Sequence, residues 1–187
     1  MINFDSYIPS PKAEFCNKLK DICLKLAINP EWLLAVMWIE SRINPKAVNQ
    51  QSGATGLIQF MPSTASTLGT TTAELKKMDA VQQLEYVYKY LKPYADKMKS
   101  FVDVYFAVFF PAAIDKSLDY VLQTSKLSAA LIAKQNPGYD INKDSKITVG
   151  EVELKLYALL GIESVQKKKN NLLLIAGAAL ITYLIIK

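Results

Sequence analysis

The chain has 187 residues, 51% of them hydrophobic, enough for one domain with a sizeable core and short extensions. It contains no histidine, which removes histidine triads, histidine metal sites and imidazole acid–base chemistry together. The net charge of +5 sits at one end: Lys167, Lys168, Lys169 and Lys187 lie beyond the last acid, Glu163, so the preceding body is nearly neutral and gives no reason to expect a nucleic-acid partner.

Residues 1–11 contain Pro9 and Pro11 and are expected to form an extended lead-in. The opening MINFDSYIPSPKAEF has no basic segment followed by an apolar run, so a secretory signal is not expected there and delivery by another route is. Phe15, Leu19, Ile22, Cys23 and Leu26 fall at helical spacing and predict a helix over 12–27. On it Cys16 and Cys23 stand about 10 Å apart along the axis, too far for a disulfide. The next helix, over 30–42, has Asn29 as N-cap, Pro30 in the first position and Glu31 in the first turn. Residues 32–39 are all apolar, which predicts a helix buried on every side and too short to cross a membrane. Asn44-Pro45 closes it, and a polar loop runs to Gly56.

A short apolar segment at 57–61 precedes helices at 62–68 and 72–77 and a longer one capped by Asp79. Leu84, Val87, Tyr88 and Leu91 form its stripe, and Pro93 ends or kinks it. Residues 101–113, FVDVYFAVFFPAA, predict a second very apolar helix interrupted at Pro111. A further helix is expected over 115–134 on the spacing of Leu118, Leu122, Leu127 and Leu131; Asn136-Pro137-Gly138 stops it. A last helix is expected over 150–160. With no strand alternation and no internal repeat, the class is all-α, built on buried helices.

The buried helix ends in a carboxylate, Glu40. Apolar neighbours and the helix C-terminus both disfavour its charged form, which is how a general acid is kept protonated near neutrality. The plainer alternative is a helix-ending acid paired with Arg42. Asp140–Glu151, DINKDSKITVGE, matches the alternation of an EF-hand loop, with Asp140, Asn142, Asp144, Lys146 (through its carbonyl), Thr148 and Glu151 as ligands. Ser145 stands where glycine usually makes the turn. A structural calcium ion is expected there, and no cofactor for catalysis. Residues 172–186, LLLIAGAALITYLII, are apolar enough for a membrane anchor but span roughly 22 Å as a helix, short of the roughly 30 Å hydrocarbon core. The expected domains are therefore 1–164, a basic linker 165–171 and a transmembrane anchor 172–187.

Glu40-Ser41, Pro45, Ala47 and Asn49, followed by Gly53-Ala54, Gly56-Leu57-Ile58-Gln59-Phe60-Met61-Pro62 and Thr64-Ala65, resemble the lytic transglycosylases of the soluble-lytic type, relatives of goose-type lysozyme. The resemblance extends loosely over 20–135. It implies a lysozyme-like helical fold that cleaves the β-1,4 bond between N-acetylmuramic acid and N-acetylglucosamine in peptidoglycan. Glu40 falls on the family's acid/base, which works without a second carboxylate and forms a 1,6-anhydro ring. Asp79, Glu85 and Asp103 remain candidates for a second acid in a hydrolase. Ser41, Gln59, Phe60 and Met61 are the implied cleft contacts, and Glu85, in a segment similar to the family's Tyr-Leu helix, is implied to reach the cleft. The family's third motif, Ala-Tyr-Asn-x-Gly, is replaced over Tyr105-Phe106-Ala107-Val108-Phe109-Phe110-Pro111-Ala112-Ala113 by a form similar to phage-type members, with Phe109 or Phe110 as a sugar-stacking candidate and core packing as the alternative. Some members carry EF-hand-like loops. The apolar tail with its basic flank, the lack of a signal and the phage-like third motif together suggest a phage particle with an internal membrane, other virion proteins as partners, and action in the periplasm. The alternatives are a hydrolytic goose-type lysozyme and an inactive wall-binding virion protein.

Overall fold

A computed structural model describes residues 4–162, and their regular structure is helical. The α-helices are α1 (Lys12–Leu26), α2 (Pro30–Ser41), α3 (Pro62–Thr67), α4 (Thr72–Lys77), α5 (Ala80–Leu91), α6 (Phe101–Phe109), α7 (Ala129–Gln135) and α8 (Val149–Leu160), with 3-10 turns at Phe4–Tyr7, Lys92–Lys97 and Pro111–Ala113. Among the described residues β-pairing is confined to the isolated bridges Val48–Thr55, Thr55–Phe60 and Val121–Thr148. The all-α expectation holds there.

The core is the sum of these helices' apolar faces. α1 buries Phe15, Leu19, Ile22, Cys23 and Leu26 and packs on α5, which buries Ala80, Leu84, Val87 and Leu91. α2 packs on α6; the two bury Leu33, Val36, Met37 and Trp38 against Val104, Tyr105, Phe106 and Ala107. Burying each large aliphatic or aromatic side chain contributes about 1.5–3 kcal/mol, so the α2–α6 seam is a rigid base for the end of α2. Caps set the boundaries. The Asn29 side chain accepts from the Glu31 N–H at 2.9 Å, and Asp79 and Gln82 form a reciprocal capping box. Cys16 and Cys23 are both free thiols.

The expected helix over 115–134 is corrected to α7 alone. Leu118, Leu127 and Leu131 are exposed and only Leu122 of that leucine set is buried, so the spacing does not mark a core stripe. The backbone of 118–122 is instead committed to pairing. The Leu122 N–H donates to Ile147 O at 2.8 Å, Val149 N–H to Tyr120 O at 3.0 Å and Gly150 N–H to Leu118 O at 2.8 Å. Thr124 Oγ1 accepts from the Lys126 and Leu127 N–H groups, and Ser128 caps α7, two local side-chain bonds that compete with a continuous helix. Among the described residues no single helix is long and apolar enough to cross a membrane; the expected linker 165–171 and anchor 172–187 lie outside them.

Candidate active site

The end of α2 is held from three sides. Arg42 and Ile43 both adopt left-handed backbone conformations, φ 58°, and the N–H of Ile43 returns to Met37 O at 3.2 Å. For a buried β-branched residue such as Ile43 that conformation is strained, and the Arg42–Ile43 pair turns the chain sharply immediately after Ser41. The Ser41 hydroxyl contacts both Met37 O at 3.0 Å and Leu57 O at 2.9 Å, tying the helix end to the loop that follows. Arg42 does not pair with Glu40. Its guanidinium lies 3.5 Å from the Trp38 ring centroid and donates to Trp38 O at 3.0 Å.

That loop is fastened from behind by Gln83, a fully buried amide on the apolar face of α5. Its Oε1 accepts from Leu57 N–H at 2.9 Å, and its Nε2 donates to Pro45 O at 2.7 Å and Leu75 O at 2.8 Å. Gly56 makes this possible. Its φ is +84°, and a Cβ there would meet Gln83 Oε1 at 2.3 Å.

Glu40 faces a cleft of about 310 Å³ between this loop and the end of α6. Asn49, Ala54, Ile58, Gln59 and Met61 form the loop side; Val108 and Phe109 form the other. Glu40 is half-buried, and burial pushes its carboxyl from 4.5 up to about 7. Its carboxyl makes no hydrogen bond or ion pair among the described residues. Three tyrosines from different elements surround it electrostatically: Tyr90 on α5, Tyr105 on α6 and Tyr139 after α7. Burial, then Tyr94 and Glu40, push Tyr90 up to about 12. Burial first and Glu40 next push Tyr105 well above its ordinary value. Tyr139 is raised by burial and by Glu40, against a lowering hydrogen bond with Tyr105. All three stay protonated and neutral wherever Glu40 titrates.

The expected contacts divide. Gln59, Met61 and Phe109 line the cleft. Gln59 holds φ +54° and its Nε2 donates to Gly56 O at 3.1 Å, bracing the loop. Phe60 is only 2% exposed and packs edge-on against Tyr90, so it backs the cleft rather than facing sugar. Ser41 spends its hydroxyl on the fold and positions the acid's helix. Glu85 is placed elsewhere: it pairs with Lys18 of α1 at 2.8 Å, a contact that lowers its pKa. Asp79 is a helix cap, and Asp103 accepts from Ser100 Oγ, Lys99 N–H and Asp115 N–H. No second carboxylate lines the Glu40 cleft among the described residues. The sequence pattern did not single out Gln83 or the three tyrosines. The available signal for Gln83 was a lone amide beside an apolar stripe.

The expected calcium ligands lie in one loop, but their side chains serve its backbone. Asp140 accepts from the N–H groups of Asp144 and Ser145, Asn142 from Asp144, and Asp144 from Lys146. Both oxygens of buried Glu151 are taken, one by the Ile141 and Asn142 N–H groups and the other by the N–H and hydroxyl of Thr148. Ser145 supplies the left-handed turn, φ 65°, in place of glycine. Among the described residues no three acid or thiol side chains are grouped to hold a metal ion.

A helical domain presenting one desolvated, unpaired carboxyl to an open cleft has the arrangement of a general-acid enzyme. Residues 20–110 match the family model described as Transglycosylase SLT domain. The match supports a lytic transglycosylase-like family, with peptidoglycan as substrate and lytic transglycosylase activity in general. It takes in α2, the Gln83-clamped loop and α6, and it ends before Tyr139.

Proposed function

We propose that the chain cleaves the β-1,4 bond between N-acetylmuramic acid and N-acetylglucosamine with Glu40 as its sole acid/base. Neutral Glu40 gives its proton to the glycosidic oxygen as the bond to C1 breaks. The resulting carboxylate then takes the proton of the muramoyl C6 hydroxyl, whose oxygen bonds to C1 and closes a 1,6-anhydro ring. Protons balance and no water is consumed. The observation that carries this is the lone Glu40 carboxyl, held near pKa 7 by burial, in a cleft with no second carboxylate among the described residues. A two-acid hydrolase needs its partner carboxylate close by, and Asp79, Glu85 and Asp103 are committed elsewhere. Gln59 and Met61 on one wall and Phe109 on the other are the sugar contacts.

The proposal extends to place and delivery. Residues 172–187 anchor the domain in a membrane, supported by the apolar run itself and its flanking lysines. The Phe-Pro-Ala-Ala form of the third motif supports a phage particle, in which the protein would act with other virion proteins to open the periplasmic wall.

Digestion of purified peptidoglycan followed by mass spectrometry tests the chemistry. Fragments ending in 1,6-anhydro-muramoyl groups are expected. Reducing muramoyl ends would identify a hydrolytic lysozyme, and wall binding without released fragments would identify a binding protein.

A further inference from the structure

A second hollow, of about 310 Å³, shares no lining residue with the Glu40 cleft and equals it in size. Phe4, Trp32, Phe101, Tyr157, Leu160 and Ile162 line it. The first 3-10 turn, the start of α2, the start of α6 and the end of α8 meet there. The described residues do not close over it. Phe101 and Leu160 are buried, while Phe4, Trp32, Tyr157 and Ile162 are only half-buried. The lining also includes Glu31 and Lys99, both exposed and opposite in sign, and Lys99 pairs with Asp115 at 3.0 Å. The hollow thus adds almost no net charge, and its chemistry suits an apolar occupant. An apolar concavity edged by polar side chains marks an interaction surface.

The chain beyond the hollow identifies the occupant. Ile162, which lines it, is the last described residue, and Lys167, Lys168 and Lys169 follow before the apolar run 172–186. A basic run next to a membrane segment is drawn to anionic lipid headgroups. Lys167 lies within about 18 Å of Ile162 even with the chain fully extended, so lysines seated on headgroups hold the hollow at the bilayer surface. Tryptophan and tyrosine, here Trp32 and Tyr157, are the side chains that settle at a membrane–water interface. We propose that the hollow is the domain's bilayer-facing surface: Phe4, Trp32 and Tyr157 enter the headgroup–acyl boundary, and lipid acyl chains fill the space between them. The inference rests on residues 172–187 anchoring the chain in a membrane, and not on the chemistry of Glu40. Trp32 and Glu40 stand near opposite ends of α2, about 12 Å apart along its axis. A domain resting on this surface therefore keeps the acid's cleft clear of lipid.

The test uses the full chain, whose two tryptophans are Trp32 in the hollow and Trp38 in the core. The protein is mixed with vesicles of equal parts phosphatidylcholine and phosphatidylglycerol, their acyl chains either plain or dibrominated, and bound protein is collected by flotation. Bromine quenches a tryptophan only at close approach. The expected result is flotation with a roughly twofold fall in tryptophan emission on the brominated vesicles, as Trp32 sits about 5–10 Å into the headgroup–acyl boundary. Trp32→Phe is expected to float equally and to lose the quenching. Flotation with unquenched emission overturns the proposal and leaves the anchor standing. Failure to float overturns both. Quenching that persists in Trp32→Phe overturns it too, because another face then meets the lipid. So does emission that is shielded from aqueous acrylamide before vesicles are added and untouched by bromine afterwards; the hollow would then be covered by residues 172–186 or by a second copy of the chain. Wall cleavage by the same protein is read separately, so a failed transglycosylase reading and a failed bilayer surface are told apart.

Discussion

Glu40→Gln is expected to abolish wall cleavage and, above neutral pH, to make the protein more stable. Losing the general acid costs roughly a hundred- to ten-thousandfold in rate, read as clearing of peptidoglycan suspensions. The stability gain follows from the direction of the pKa shift. The carboxyl sits at about 7 in the fold against 4.5 in its ordinary state, so between those values the folded chain binds the proton and the unfolded chain does not. Native stability from this group is intact below 4.5 and is lost as pH rises through 7. Glutamine has no charge to desolvate, so the variant matches the native protein at acid pH and exceeds it above 7, by an amount on the order of 2–3 kcal/mol. Melting curves at pH 4 and pH 8 check this. A variant equally stable or less stable at pH 8 would mean that the site does not strain the acid.

The second large effect is expected at Gln83. Gln83→Leu keeps the volume but leaves the Leu57 N–H and the Pro45 and Leu75 carbonyls without their partner. Each such orphaned group costs about 1–3 kcal/mol, so the loss should be roughly 3 kcal/mol or more, or about 10 °C in Tm for a chain of this size. Gly56→Ala should cost a similar amount, because its Cβ collides with the same amide and its φ of +84° disfavours any side chain. The two substitutions share one space. Combining Gly56→Ala with Gln83→Ala should therefore cost less than the sum of the single effects, measured as a double-mutant cycle by thermal denaturation. Strict additivity would show that the clamp does not act as a unit.

The helices from α1 to α6 were legible in the sequence because local signals agreed: apolar periodicity in α1 and α5, all-round hydrophobicity in α2 and α6, and side-chain caps at Asn29 and Asp79. Glu40 was legible for the same reason, as a charge at the end of an apolar run. Residues 115–128 were misjudged because leucine spacing alone does not reveal a backbone pairing with 147–150. The cleft was partly hidden. Gln59, Met61 and Phe109 sit on it, but Phe60 and Glu85, adjacent in motif and stripe, point to the core and to Lys18. Side-chain direction at a left-handed residue such as Gln59 shifts which neighbours face out, and no periodicity encodes it. Gln83 acts across long sequence separations, on Pro45 and Leu57, so its role emerges only when the chain is folded.

The most direct test of a one-acid, water-free cleavage is digestion of peptidoglycan by the full chain in water enriched in oxygen-18. The account predicts muramoyl ends that carry no label, because the C6 oxygen of the sugar itself attacks C1. Incorporation of one labelled oxygen at each broken bond would contradict it and show that water, not the substrate hydroxyl, is the nucleophile.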